Sequence, residues 1–240
     1  MRLPHSLFAP ILLLFLQAAH AGEKERNVDP LEPFNRQMFL LNDVLDRYLV
    51  KPAAQGYQYV TPDIVERGVG NFFANMYDAT SAVNAVLQWK WLGAAQSGGR
   101  FLVNSTLGLA GILDVATPLG IRPYRADFGQ TLYVWGFDAG PYLMVPLFGP
   151  RTVRSGVGTL VDLYTSVPTY INNDTVRYSI WGLEIVDTRA RLLQAEELMS
   201  GDRYLFVRDA YLQQREYFLN DGVVEDDFSN FEEGDDWEEF

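Results

Sequence analysis

The sequence contains no cysteine, and its only histidines, His5 and His20, lie within the first twenty positions. The rest of the chain therefore has neither thiolate nor imidazole, which excludes Ser-His-Asp and Cys-His nucleophilic catalysis, thiolate or imidazole metal sites, and disulfides. Carboxylates are left to do any catalysis. The interior acids Asp114, Asp127, Asp138 and Asp162 sit beside Gly, Pro or aromatic residues without a recognisable paired motif. They read as capping or solvated carboxylates, so the expectation is no enzyme, no catalytic residue, no metal and no cofactor. A basic stripe, a Walker motif and a dinucleotide glycine pattern are also missing, which argues against nucleic acid as a partner.

Long apolar runs are missing too. After the N-terminal segment, the longest stretch without charge is residues 101–113, and it includes Asn104, Ser105 and Thr106. A spanning helix needs about 20 predominantly apolar residues, so no conventional transmembrane helix is expected. The N-terminus itself has Arg2, an apolar run over residues 7–16, and the small-residue site Ala19-His20-Ala21. That pattern reads as a secretory signal over residues 1–21, cleaved between Ala21 and Gly22, and places the protein beyond the inner membrane.

Basic residues are absent from the C-terminal segment, where residues 221–240 carry ten acidic side chains. Most of the formal net charge of −12 resides there, since residues 22–220 hold 18 basic and 21 acidic groups. Residues 223–240 are expected to form a disordered, solvated acidic tail. Residues 22–222 suit one domain.

Within that domain, helix signals dominate. Phe34, Met38, Leu41 and Leu45 recur at helical spacing over residues 31–50, bounded by Asp29-Pro30 and Lys51-Pro52. Thr61 is expected to cap a second helix starting at Pro62, with Val65, Val69, Phe72, Phe73, Met76, Val83, Val86 and Leu87 as its apolar face. Gly68 and Gly70 should weaken that helix, and residues 78–81 should bend it. A third segment, about 91–107, carries Gly93, Gly98 and Gly99, small residues that permit close helix approach or contact with a lipid-like ligand. Further helices are expected over about 150–165, over 174–199 with Asn173 or Asp174 as cap and an Asp187–Arg191 pair, and after Asp202. The last helix places Tyr204, Val207, Tyr211 and Phe218 on one face. Arg203, Arg208 and Arg215 fall elsewhere on it, available to lipid phosphate or paired with Asp209 and Glu216.

Residues 136–158, GFDAGPYLMVPLFGPRTVRSGVG, break the helical pattern. Gly136, Gly140 and Gly149 permit backbone conformations closed to other residues, while Pro141, Pro146 and Pro150 fix φ and remove amide donors. An irregular apolar hairpin is expected, with Tyr142, Leu143, Met144, Val145, Leu147 and Phe148 needing a core, a lipid phase or a partner.

Four segments together resemble one family. They are Asp29-Pro30-Leu31-Glu32-Pro33-Phe34-Asn35-Arg36; Asp127-Phe128-Gly129-Gln130-Thr131-Leu132; Gly140-Pro141-Tyr142-Leu143 with Pro146-Leu147-Phe148-Gly149-Pro150; and Arg208-Asp209-Ala210-Tyr211. Their order and spacing are similar to the MlaA/VacJ family of outer-membrane phospholipid transport proteins. The resemblance implies a mainly α, ring-like domain in the inner leaflet of the outer membrane, with an amphipathic pore that admits misplaced phospholipids from the outer leaflet. It implies a trimeric porin and a soluble MlaC-like carrier as partners. It points to Gly136, Gly140, Pro141, Tyr142, Leu143, Pro146, Gly149 and Pro150 as a gating hairpin, and to Arg154 and Arg208 as head-group contacts. Family members are commonly acylated on a cysteine at the cleavage site; Ala21-Gly22 stands there, so acylation is not expected. A soluble periplasmic lipid-binding or adaptor protein is the alternative function, and a β-barrel would need repeated alternating strands that the helical spacing does not supply.

Overall fold

The computed structural model describes residues 28–196, 199 and 201–222, and the signal segment with Ala21 and Gly22, as well as the acidic tail, lie outside them. The mainly α expectation holds. Helix α1 (Glu32–Leu45) runs without a break into a single π turn (Asp46–Val50) and then α2 (Lys51–Val60). The expected stop at Lys51-Pro52 is overturned. Pro52 has no N–H and would clash with a carbonyl four residues back in a regular helix. The wider π turn, closed by the Lys51 N–H on the Asp46 carbonyl, carries the axis past it.

Helix α3 (Asp63–Leu87) starts one residue later than Thr61 capping requires. Thr61 closes α2 through its own N–H on Tyr57, and the Pro62 carbonyl accepts the first bonds of α3 from Val65 and Glu66. The expected bend over residues 78–81 is also absent. Asp78 and Ser81 point inward instead, Asp78 to Arg100 at 3.2 Å and Ser81 Oγ to the Ala126 N–H at 3.2 Å. Gly68 and Gly70 sit inside the continuous helix, because a Cβ at Gly70 would lie 2.6 Å from Arg191 Nη1.

Helix α4 (Trp91–Thr106) packs along α3, and Gly93 lets the Tyr124 ring approach to within 2.5 Å of where a Cβ would stand. A connection pinned by Arg100 and Asn104 leads to α5 (Phe128–Val134), which opens on a capping box between Asp127 and Gln130. Strands β1 (Tyr142–Val145) and β2 (Gly149–Thr152) follow, then α6 (Val153–Thr165), whose capping box joins Thr152 and Ser155. A 3-10 turn (Val167–Tyr170) leads to α7 (Asp174–Glu196). Asn173 caps α7, and Asp187 pairs with Arg191 at 2.6 Å as the i,i+4 spacing predicts. Asp202 caps α8 (Arg203–Leu219).

The packing partners trace a closed circuit: α1 through the π turn to α2, α2 to α7, α7 to α3, α3 to α5, α5 to α6, α6 to β2, and β1 back to α1. The domain is a ring of helices, and the usual distribution of polarity is inverted across it. Among the described residues nine buried side chains are apolar, five of them alanines, whereas sixteen are polar or charged. Of the apolar face expected for α3, Val65, Val83 and Val86 are between 45 and 61% exposed, Val69, Phe72, Met76 and Leu87 are half-buried and Phe73 is buried, while Asn75, Asp78, Ser81 and Asn84 are buried. Helical period fixed which residues share a face. It did not fix which face meets the protein interior, because in a lipid environment the apolar face is the outer one.

Candidate functional site

The hairpin is more regular than its prolines suggested. Tyr142 pairs with Thr152 and Val145 with Gly149, and Pro150 is accommodated opposite Met144 in this two-stranded sheet. Positive φ values at Gly136 (+90°), Gly140 (+66°) and Gly149 (+72°) match the freedom read from sequence. At Gly140 the approach is also close, since a Cβ would lie 2.9 Å from that of Val153.

Two asparagines of α1 replace a third strand. The Asn35 carboxamide donates to the Tyr142 carbonyl at 3.0 Å and accepts the Met144 N–H at 2.9 Å. Asn42 does the same one step on, donating to the Val145 carbonyl at 3.0 Å and accepting the Leu147 N–H at 2.8 Å. The spacing explains the match: seven helical residues rise about 10.5 Å and three extended residues about 10 Å, so two amides on one helix face meet two peptide units of one strand edge. Asn35 also donates to Asp29 at 2.7 Å, and Asp29 receives the Tyr204 hydroxyl of α8.

Alternation then divides the hairpin. Tyr142 and Met144 enter the small apolar core with Tyr204, Met38 and Phe39, and Tyr142 is only 1% exposed, so this residue does not front lipid. Leu143, half-buried, shares the opposite face with its register partner Arg151. Pro141 supplies its carbonyl to the Val153 N–H. Pro146, Leu147 and Phe148 make the exposed tip, where Leu147 is 79% accessible.

Behind that second face the structure gathers charges from four parts of the chain. Arg215 of α8 makes a bidentate pair with Asp127 at the start of α5, overturning the expected local pair with Glu216. Sequence proximity favoured Glu216; the α5–α8 packing supplies a better-oriented carboxylate. Tyr211, one turn earlier, has its hydroxyl 2.6 Å from Ser155 Oγ on α6. Arg151 donates from Nε to Thr159 at 3.1 Å and from Nη1 to the Pro150 carbonyl at 2.7 Å. Arg154 is buried, donates from Nη1 to the Phe137 carbonyl at 2.8 Å, stacks 4.9 Å from the Tyr133 ring centre, and leaves Nε without an acceptor. Neither Arg151 nor Arg154 has a carboxylate within 4.0 Å among the described residues. Burial pushes both guanidiniums below their usual range, with Arg215 lowering Arg154 further and Tyr211 opposing the shift at Arg151.

Asp162 of α6 faces the same region. Its oxygens accept from Asn84 Nδ2 and the Phe128 N–H, both at 2.9 Å, yet burial raises its pKa to about 6. Tyr77 of α3 is 42% exposed, and nevertheless the surrounding protein, then Asp127 and Asp162, push its phenol well up. Tyr77 thus stands within reach of the same charges. Two interlocked glycines bring α5 and α6 together: a Cβ at Gly158 would lie 2.3 Å from the Gly129 backbone nitrogen, and one at Gly129 would lie 3.1 Å from Arg215 Nη2.

Of the two arginines singled out from sequence, Arg154 belongs to this cluster. Arg208 does not: it is committed to Asp209 at 2.8 Å, the partner expected, and to Asp29 at 3.7 Å. Sequence reading missed Asn35 and Asn42 as hairpin clamps, Arg151 and Tyr77 as members of the charged cluster, and Asp127 as the partner of Arg215. Two asparagines seven apart on one helix face were a visible signal for the first pair; the others needed tertiary packing.

On the outside, Tyr59, Trp89, Leu92 and Tyr164 are each more than 70% exposed, and none of the described helices is long and apolar enough to cross a membrane.

The sequence matches the family model described as MlaA lipoprotein over residues 27–218. It is 34% identical over 233 residues to the Escherichia coli K12 intermembrane phospholipid transport system lipoprotein MlaA, covering 93% of this chain and 92% of that protein. The Haemophilus influenzae protein of the same name is 34% identical, with 83 and 82% covered. A solved structure from work on the structural basis for maintenance of bacterial outer membrane lipid asymmetry superimposes with a TM-score of 0.70 at 35% identity, covering 80% of this chain and 99% of the other. Shared sequence along nearly the whole domain and a shared ring of helices agree: this chain belongs to the MlaA family.

Proposed function

We propose that this protein moves phospholipids at the outer membrane, taking misplaced molecules from the outer leaflet and passing them to a periplasmic carrier so that lipid asymmetry is kept. The observation that carries the reading is the inverted ring: large apolar side chains exposed on the outside, and buried positions that are mostly polar or charged. A phospholipid needs a polar wall for its head while its tails stay in hydrocarbon, and such a ring lying in one leaflet offers both. No bond is made or broken in that transfer, so no catalytic residue is assigned. Relatives named for intermembrane phospholipid transport support the assignment.

The hairpin of residues 136–150 forms the gate in this reading. Because β1 is clamped to α1 by Asn35 and Asn42, movement is confined to the Pro146–Leu147–Phe148 tip and to its glycine flanks rather than to the whole hairpin. A trimeric porin docks on the apolar perimeter, and an MlaC-like carrier receives lipid on the periplasmic side, where the acidic tail raises its association rate. Relatives carry the name lipoprotein, but this chain has no cysteine to acylate. Its exposed apolar perimeter therefore holds it in the membrane.

The test is complementation. In cells lacking their own transporter of this family, the full chain should restore clearance of outer-leaflet phospholipid and fractionate with outer membranes after a high-salt wash. Recovery of most of the protein in the osmotic-shock supernatant, with no clearance, would favour a soluble carrier instead.

A further inference from the structure

The charged cluster around the start of α6 has more guanidinium than its carboxylates neutralise at contact distance. Arg151, Arg154 and Arg215 approach from β2, α6 and α8 around the first two turns of α6, and only Arg215 has a carboxylate in contact, that of Asp127. Arg151 lies along α6 on Thr159, Tyr211 lies on Ser155 one turn below, and Arg215 is near enough to both Arg151 and Arg154 to disfavour their charged forms. Asp162, on the same helix, turns its oxygens to Asn84 and the Phe128 N–H instead of to any of them. Asp138 adds only a favourable field at Arg154. A desolvated cation without a counter-charge in contact is costly, and two of them beside the paired Arg215 leave a surplus that an arriving anion would offset.

Planar forked donors suit one anion above others. A phosphodiester presents two equivalent oxygens that bidentate guanidiniums match, and its negative charge offsets part of the surplus that Asp127 leaves. Resting on the lipid-transport reading above, we propose that Arg151, Arg154 and Arg215 form a phosphate-recognition station on the lipid path, with Asp127 as its resident counter-ion that the arriving phosphodiester replaces on Arg215. The exchange gives binding a built-in reversal: when Asp127 returns to Arg215, the head group loses that guanidinium and is released. Asp127 can do this without unfolding α5, because its capping role needs only one oxygen, the Oδ1 that accepts the Gln130 N–H.

The test uses the full chain in detergent and three probes: dioctanoylphosphatidylglycerol, dioctanoylglycerol, and glycerol phosphate. The wild type should bind the phospholipid at least roughly tenfold more tightly than the phosphate-free diacylglycerol, and Arg151→Gln or Arg154→Gln should each cost roughly tenfold for the phospholipid alone. Arg47→Gln, an exposed surface position, should change nothing. Asp127→Asn keeps the cap but frees Arg215, so phospholipid binding should tighten and its release should slow. This opposite sign distinguishes counter-ion exchange from general damage. Equal affinity for phospholipid and diacylglycerol, or unchanged affinity in folded Arg151→Gln and Arg154→Gln, overturns the station. So does glycerol phosphate binding as tightly as the lipid, which would mark a site for free anions. In cells, normal clearance by an Arg151→Gln/Arg154→Gln protein refutes the station alone, whereas absence of clearance by the wild type refutes the transport reading beneath it.

Discussion

Replacing Asn35 by alanine should be among the most damaging single changes in α1, although the residue is neither large nor apolar. Its side chain is fully buried and makes three hydrogen bonds, to Asp29, to the Tyr142 carbonyl and to the Met144 N–H. Tyr142 and Met144 are 1 and 2% exposed, so water cannot take over the two peptide groups that are abandoned. Each unsatisfied buried group costs about 1–3 kcal/mol, and losing the donor to an ionised Asp29 adds a similar amount, so the total is about 3–6 kcal/mol. That is a large share of the roughly 5–15 kcal/mol that holds a typical domain. Asn42→Ala removes the same geometry, but its partners reach Leu147 at the exposed tip, where water substitutes, so about 1 kcal/mol is expected. Asn35→Asp should be no better than alanine, because a carboxylate cannot donate to Tyr142 and would stand beside Asp29. Thermal unfolding of the full chain in detergent, followed by circular dichroism, measures the difference. Hydrogen exchange over residues 142–147 should show the whole strand released in Asn35→Ala and only its end in Asn42→Ala. If the two variants differ by less than about 1 kcal/mol, the asparagine-clamp account is wrong.

Gly158→Ala should lower stability by about 1–3 kcal/mol or more, because its Cβ would overlap the Gly129 backbone and force α5 from α6. Gly182→Ala, in α7 with nothing within 4 Å, should instead raise stability by about 0.5–1 kcal/mol; a melting series on both variants that gave the same sign would contradict the packing. Burial holds the Asp162 pKa near 6 in the folded protein against 3.8 unfolded, so the folded state keeps a proton that the unfolded chain has lost. Stability should therefore fall as pH rises from about 4 to about 6, and Asp162→Asn should flatten that slope; an identical slope in urea titrations of the variant would discount the buried acid. Gly149→Val should strain a backbone at φ +72° while meeting no steric clash, so phospholipid clearance should fall with little change in abundance, and a parallel loss of abundance would mark a merely structural turn.

The longer helices other than α2 and α5, the Asp202 and Asn173 caps, and the three positive-φ glycines were legible in the sequence because each depends on neighbours a few residues away. Composition alone removed cysteine and histidine chemistry. The family was legible too, since its four segments survive as short strings. Where local rules failed, a distant group had intervened: the π turn carried α1 past Pro52, and the partners Arg100 and Ala126 held α3 straight through Asp78 and Ser81. Hydrophobic period could not say that Val83 faces out and Asn84 faces in, since the pattern is the same whichever face meets the interior. Nor could sequence join Arg215 to Asp127, 88 residues away, or set Arg151 and Arg154 around them. Local structure follows from local chemistry, whereas the site follows from closure of the ring, which alone decides which charges share an enclosed space.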